Sequence, residues 1–223
     1  MNRRTKFDTF TRARSSVFAL LTVTALGLTA CGGDAEGEPG SSASPATSAV
    51  ASEAATPTPT PSATPEYKPA SAEGPAENVP LPKMPKKAKE ESEEGLQTFT
   101  LYWYDVLNYT YESGDLAPLE AITAESCRRC GEVGKIISDW NSEGRWMVGG
   151  GVKIHGTGTD YVKDADGAYQ MAVQLTPLEV QYFQADGALH AEEPKQDAGL
   201  DILVARYENG AWETLNVGVA GEM

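Results

Sequence analysis

The stretch RWMVGGGVKIH, residues 145–155, is where the chain changes its period. Before Gly144, apolar residues recur every three or four positions. After it, Trp146, Val148, Gly150, Val152 and Ile154 alternate with Met147, Gly149, Gly151, Lys153 and His155. Alternation by two puts successive side chains on opposite faces of a strand. Three glycines inside such a strand predict a bulge or sharp bend, because glycine gives up packing there in exchange for backbone freedom. Helices before this point and strands after it define an α+β fold, with N-terminal helices packed on one face of a curved antiparallel sheet.

On the N-terminal side, a helix is predicted over 86–113, where Leu96, Phe99, Trp103, Val106, Leu107 and Tyr111 form one apolar stripe. Glu90, Glu91, Glu93 and Glu94 crowd its early turns, where the positive end of the helix dipole favours them, and Gly114 stops it. Asp115 caps a short second helix. A third is predicted over 126–143, with Cys130, Val133, Ile136, Ile137 and Trp140 inward. On the C-terminal side, KDADG turns the chain into a strand through Tyr169, Met171, Val173 and Leu175. DADG lacks the opening Asp and closing Glu of a calcium loop and reads as a hairpin turn. EVQYFQ is a shorter strand before the Asp186-Gly187 turn. DILVARY and WETLNVGV flank Asn209-Gly210, the strongest short hairpin signal available.

One segment carries a resemblance. FTLYWYDVLNYTYESGDLAPLEAI, residues 99–122, resembles the opening of the cystatin-like cone fold, the nuclear-transport-factor-two-like or SnoaL-like superfamily. Members open with an aromatic-rich helix ending in a Gly-Asp step, then a short Leu-rich helix, a third helix and a strongly curved sheet. The resemblance implies a cavity between helix and sheet. Tyr102, Trp103, Tyr109 and His155 are the candidates to line it, with His155 entering only if its strand twists at the glycines. The alternative for the aromatic residues is that they fill the core with a polar tip outward. SnoaL-like enzymes set an acid–base pair inside the cone. Here Asp105 and Asn108 lie near one another off the apolar stripe, and no complete catalytic set can be assembled from them, so no catalytic residue is assigned. Residues 78–130 also resemble a group of actinobacterial lipoproteins of unknown function that share the Pro-rich entry, the Tyr-Trp helix and the paired cysteines.

The N-terminus speaks to location. Arg3, Arg4, Lys6, Arg12 and Arg14 precede an apolar run from Val17 to Leu28, shorter than the roughly 20 residues of a bilayer crossing. The run ends in LTAC and resembles a bacterial lipobox, which implies cleavage after residue 30 and lipidation of Cys31 by diacylglycerol and a further palmitate-type chain. The expected organisation is a signal peptide at 1–30, a disordered Ala/Ser/Thr/Pro-rich tether at 31–85 and one domain at 86–223. The tether's composition buries too little apolar surface to offset its ordering entropy, and its TPTPTP core favours extended geometry. It acts as a spacer, with Thr hydroxyls either bare or carrying O-linked sugars. The formal charge is −14, and −18 beyond Ala30 once the five basic and one acidic residue of the signal are removed. Such a balance excludes nucleic acid as a partner and leaves the lipid as the means of membrane attachment.

AESCRRCGE, residues 124–132, holds the remaining two cysteines, Cys127 and Cys130. A redox role is favoured by the Cys-x-x-Cys spacing, by Arg128 and Arg129 and by the helix N-terminus. Against it, helices rather than a strand surround the motif. A zinc site would need ligands beyond His155 and His190, and no metal is assigned. A disulfide staple needs nothing further and is the reading adopted. No dinucleotide, phosphate-loop or nucleophile-elbow fingerprint is present, and no cofactor is expected. The expected role is a lipid-anchored protein on the extracytoplasmic face of the cell membrane, binding a small ligand or an envelope partner without catalysis. The alternatives are a SnoaL-like acid–base enzyme and an envelope thiol oxidoreductase using Cys127 and Cys130.

Overall fold

The computed structural model describes residues 65–222; the signal segment, Cys31 and the tether up to residue 64 lie outside the described residues. Three helices are followed by seven strands: α1 (Glu93–Ser113), α2 (Ala117–Glu120), α3 (Arg128–Trp140), β1 (Trp146–Gly149), β2 (Val152–Gly158), β3 (Ala168–Pro177), β4 (Val180–Phe183), β5 (Leu189–Glu193), β6 (Gly199–Glu208) and β7 (Ala211–Val219). The strands form two antiparallel sheets, ordered β2-β3-β6-β7 and β1-β4-β5. Helix α1 covers the first sheet with Leu96, Phe99, Trp103, Val106 and Leu107 against Met171, Val173, Leu175, Leu203 and Val217. A smaller core joins Ile137 of α3 to Met147 and Val180 of the second sheet.

The expected single bent strand over 146–155 is two strands in two sheets. The chain leaves β1 opposite β4, where Gly149 faces Val180, and enters β2 opposite β3, where Val152 faces Pro177. Gly149 and Gly150 sit at φ 81° and 84°, backbone that side chains strain. A Cβ on Gly150 would stand 2.9 Å from the Tyr111 ring, and one on Gly151 2.6 Å from Asn108 Oδ1. Asn108 completes the passage. Its Oδ1 accepts from Val152 N–H at 2.8 Å and its Nδ2 donates to the Val152 carbonyl at 3.1 Å. One side-chain amide thus serves both backbone groups of the first residue of β2, as a neighbouring strand would.

Three boundaries differ from those expected. Lys86–Lys89 form a 3-10 turn, and α1 begins only after Ser92, whose Oγ accepts from Gly95 N–H at 3.0 Å. Glu93 and Glu94 therefore occupy the first turn, while Glu90 and Glu91 precede the helix. Helix α3 starts at Arg128 because Cys127 is extended and acts as its N-cap. Ile136 points outward, 55% exposed.

The third correction concerns the tether, whose expected end at residue 85 comes too late. Residues 65–85 lie on the domain as a strap. Lys68 and Glu77 exchange both backbone hydrogen bonds at 2.9 Å, Tyr67 Oη donates to Glu112, and the Ser71 carbonyl accepts from Trp146 Nε1 at 2.8 Å. Composition alone hides this because the strap is held by specific polar contacts rather than by an apolar stripe. Strand β5 is likewise absent from the sequence reading: its residues are all exposed, so its sequence shows no buried face.

Asn108→Ala leaves both backbone groups of Val152 without their partner and is expected to destabilise the domain by about 2 kcal/mol or more. Urea denaturation of the variant beside the parent reads this directly. An unchanged midpoint would mean that water takes the place of the amide.

Candidate functional site

The site is a cavity of about 400 Å³ between α1, α3 and the larger sheet. Its walls are mostly apolar: Trp103, Leu107 and Tyr111 from α1, Cys130 and Val133 from α3, and Leu175 and Val217 from the sheet. Such a volume lies within the range of small-molecule pockets. At one end stand three polar side chains. Tyr104 Oη donates to Asp201 Oδ2 at 3.3 Å, and Arg129 projects beside them from the first turn of α3. Leu200, 44% exposed, stands at the mouth.

Asp201 reaches this position by strand alternation. It shares the inward face of β6 with Leu203 and Ala205, both fully buried. Burial pushes its carboxyl above the ordinary carboxylate value of 3.8, against the opposing pull of the Arg129 charge and the Tyr104 hydrogen bond. Burial, reinforced by Asp201, pushes the Tyr104 phenol well above its ordinary value, so this hydroxyl stays a donor. Burial also raises Tyr111.

Of the four residues expected to line a pocket, Trp103 does so; its Nε1 donates to Thr123 Oγ1 at 2.8 Å and its ring edges against Tyr104 at 5.0 Å. The other three are placed elsewhere. Tyr102 packs against the core from the flank of α1, one helical step from Trp103, and does not reach the cavity. Tyr109 faces the strap side, where its Oη donates to Asp115 at 3.2 Å. His155 lies on the exposed face of β2, its Nε2 2.9 Å from Thr176 Oγ1. Val152 and Ile154 face inward and Lys153 and His155 outward, the phase that simple alternation gives them, so the break at the glycines does not carry His155 into the cavity. Tyr104 and Tyr111, two further aromatic residues of the first helix, also line it. Asp201 and Arg129, which sequence reasoning misses as pocket residues, have one legible signal. An acidic residue at the inward phase of the Asp201, Leu203, Ala205 alternation is out of place in a simple core.

Cys127 and Cys130 are joined in a disulfide, with Cα atoms 5.3 Å apart. Cys127 is 2% exposed, and its Sγ accepts from Cys130 N–H at 3.3 Å, capping α3. Cys130 and Leu119 also border a second hollow of about 610 Å³ between α2 and α3. The DADG turn is closed by Asp164, whose Oδ1 accepts from Asp166 and Ala168 N–H. Among the described residues no cluster of His, Cys, Asp and Glu could hold a metal.

Three helices packed on two antiparallel sheets that part at a glycine break, with a cavity between α1, α3 and the larger sheet, define an α+β domain. Residues 65–218 match the family of unknown function DUF6318, and the chain belongs to that family. No curated protein matches it. Several solved structures are similar in fold. Aln2 from a Streptomyces species is 12% identical, with 61% of this chain and 93% of that chain covered and a TM-score of 0.38. ActVI-ORFA from Streptomyces coelicolor is 15% identical, with 56% and 98% covered and a TM-score of 0.36. The intermembrane space region of the chloroplast protein ARC6 is 10% identical, with 57% and 95% covered and a TM-score of 0.39.

The raised value of Asp201 fixes the sign of a stability effect. Between 3.8 and that raised value the folded chain holds a proton that the unfolded chain has released, so stability falls as pH rises through the window. Asp201→Asn removes this titration. Relative to the parent, the variant should gain stability between about pH 3.5 and about pH 7, measured by urea denaturation at both ends. A flat difference would show that Arg129 and Tyr104 cancel the effect of burial, and a difference of the opposite sign that they outweigh it.

Proposed function

We propose that this protein is a lipid-anchored protein of the extracytoplasmic membrane face whose domain binds a small amphipathic molecule without transforming it. What carries the binding role is the cavity: apolar side chains enclose about 400 Å³, and Tyr104, Asp201 and Arg129 give it one polar end. A pocket of this make-up buries an apolar body and orients it by a few polar contacts. The anchoring role is supported by the basic segment, the short apolar run and the LTAC ending before Cys31. Two acyl chains on that cysteine would hold the protein stably, where a single chain holds only marginally.

One observation favours acid–base chemistry as the second reading. Asp201 is a carboxyl with a burial-raised value, hydrogen-bonded to Tyr104 in a cavity, which is a common arrangement for a proton-handling group. Thiol exchange finds less support, because Cys127 is buried and an exchanging sulfur must be approached by another thiolate.

The test is a native mass spectrum of the full chain taken from its membrane, beside Leu200→Trp, which fills the mouth at an already exposed position. The parent should carry a small molecule of discrete mass, and the variant should lose it while keeping its unfolding midpoint. A parent that is empty under gentle ionisation sinks the binding role. In the same preparation Cys31→Ser should lack the diacylglycerol mass and move to the soluble fraction; a variant that stays membrane-bound with unchanged mass rejects the anchor.

A further inference from the structure

We propose that the ligand of this cavity is an amphipathic anion, its apolar body lying along Leu107, Val133 and Val217 and its anionic end held by Arg129. This rests on the cavity being the binding site, as proposed above.

Four arginines fall among the described residues. Arg128 pairs with Glu132 at 3.9 Å, Arg145 with Glu143 at 3.9 Å, and Arg206 with Glu208 at 3.0 Å and Glu213 at 3.7 Å. Arg129 alone has no carboxylate partner among the described residues, although the chain carries 32 acidic side chains against 18 basic ones. It is also the one cation in the wall of the cavity. A guanidinium offers five donors in a planar fork suited to a carboxylate or phosphate, and this one is left unclaimed beside an apolar hollow.

Asp201 raises the opposite possibility, that the carboxylate takes a cation while the aromatic walls of Trp103 and Tyr111 surround it. Either ligand meets a like charge: an ammonium at Asp201 faces Arg129, and an anion at Arg129 faces Asp201. The two conflicts differ in how they can be relieved. A guanidinium does not lose its proton in a protein, so an ammonium would face a fixed repulsion. A half-buried carboxyl can take up a proton and become a donor to the anion. Its surroundings favour that step. The residues opposite Asp201 in register are Val173 on β3 and Val219 on β7, neither of them charged. Tyr104 from α1 is already donating to one oxygen, and the charged groups near it are Arg129 on α3 and Asp197 at the rim. Burial already biases the group toward its neutral form. Binding of the anion is therefore coupled to protonation of Asp201.

The experiment uses three probes with one apolar body, 4-phenylbutyrate, 4-phenylbutylammonium and 4-phenylbutanol, titrated against the full chain in lipid nanodiscs by ligand-observed NMR. The acid should bind more tightly than the alcohol by roughly tenfold to a hundredfold, the scale of a charge-assisted hydrogen bond. Arg129→Gln should bring the acid down to the level of the alcohol without changing the alcohol. Asp201→Asn, which removes the like charge and keeps a donor, should tighten the acid several-fold and abolish the proton uptake on binding. An amine that binds best and is lost in Asp201→Asn overturns the anion in favour of the cation. Equal binding of all three, blocked by Leu200→Trp, keeps the cavity and rejects any charge preference. If none of the three binds, the cavity itself is rejected along with its ligand class.

Discussion

The chain can leave one sheet and enter the next at residues 149–151 only because three consecutive residues lack side chains and because Asn108 takes the part of the missing strand. Without a Cβ, Gly150 lets the backbone pass against the Tyr111 ring, and Gly151 lets it pass against Asn108. Across the gap the opposing chain is tied at two points: Gly150 N–H to the Glu179 carbonyl at 2.9 Å, and Leu178 N–H to the Gly151 carbonyl at 2.8 Å. Both turns of backbone, at 149–151 and at 178–179, belong to one fold line. The two sheets therefore stand at an angle fixed by α1, whose Asn108 and Tyr111 project into that line from a single helical face.

The cavity follows from this line. A sheet that continued straight through Gly150 would lie flat against α1 and leave no hollow. Because it breaks, the larger sheet serves α1 and the smaller one serves α3, and each helix has its own core. The space between the two packings is lined by Gly150, Val152 and Tyr111 beside this line and by the exposed Arg129 and Leu200 at its rim. The disulfide acts at this open end. By closing Cys127 onto Cys130 it fixes the first turn of α3, and Arg129 lies inside the closed loop. So short a loop contributes little through chain entropy, which makes local geometry its more natural role.

The sequence carries the large elements because each rests on a local rule. The stripe from Leu96 to Leu107 has the helical period, and Asn209-Gly210 takes φ 53° and 82°, the positive values its turn type requires. Other features depend on partners far along the chain. The strap is held by Trp146 and Glu112, some 75 and 45 residues away, and no residue of the strap announces them. The split of 146–155 into two sheets needs Asn108, which in sequence is only a polar residue off the stripe. Arg129 is legible as a charge but reads as a neighbour of the cysteines, because the residue it stands beside in space, Asp201, is 72 positions later in the sequence. His155 misleads for the opposite reason: a twist at the glycines would carry it inward, but the strand beyond the break keeps Val152 and Ile154 on the inner face and His155 outside.

Asp201 is the residue that packing alone does not account for. Its neighbours on the same face, Leu203 and Ala205, are fully buried, and the strands beside it place valines opposite it in register. An apolar side chain would pack as well there and would avoid the cost of a half-buried carboxyl, which burial of the charged form imposes at neutral pH. Tyr104 offsets part of that cost through a single hydrogen bond at 3.3 Å, long for an O–H donor to a carboxylate. Arg129 is near enough to draw the carboxyl's value down but makes no contact with it. A structural ion pair would have closed that distance. Two opposite charges held close, each short of its full set of partners, at the polar end of an apolar hollow, form an arrangement that a third molecule can complete and that the folded chain by itself does not.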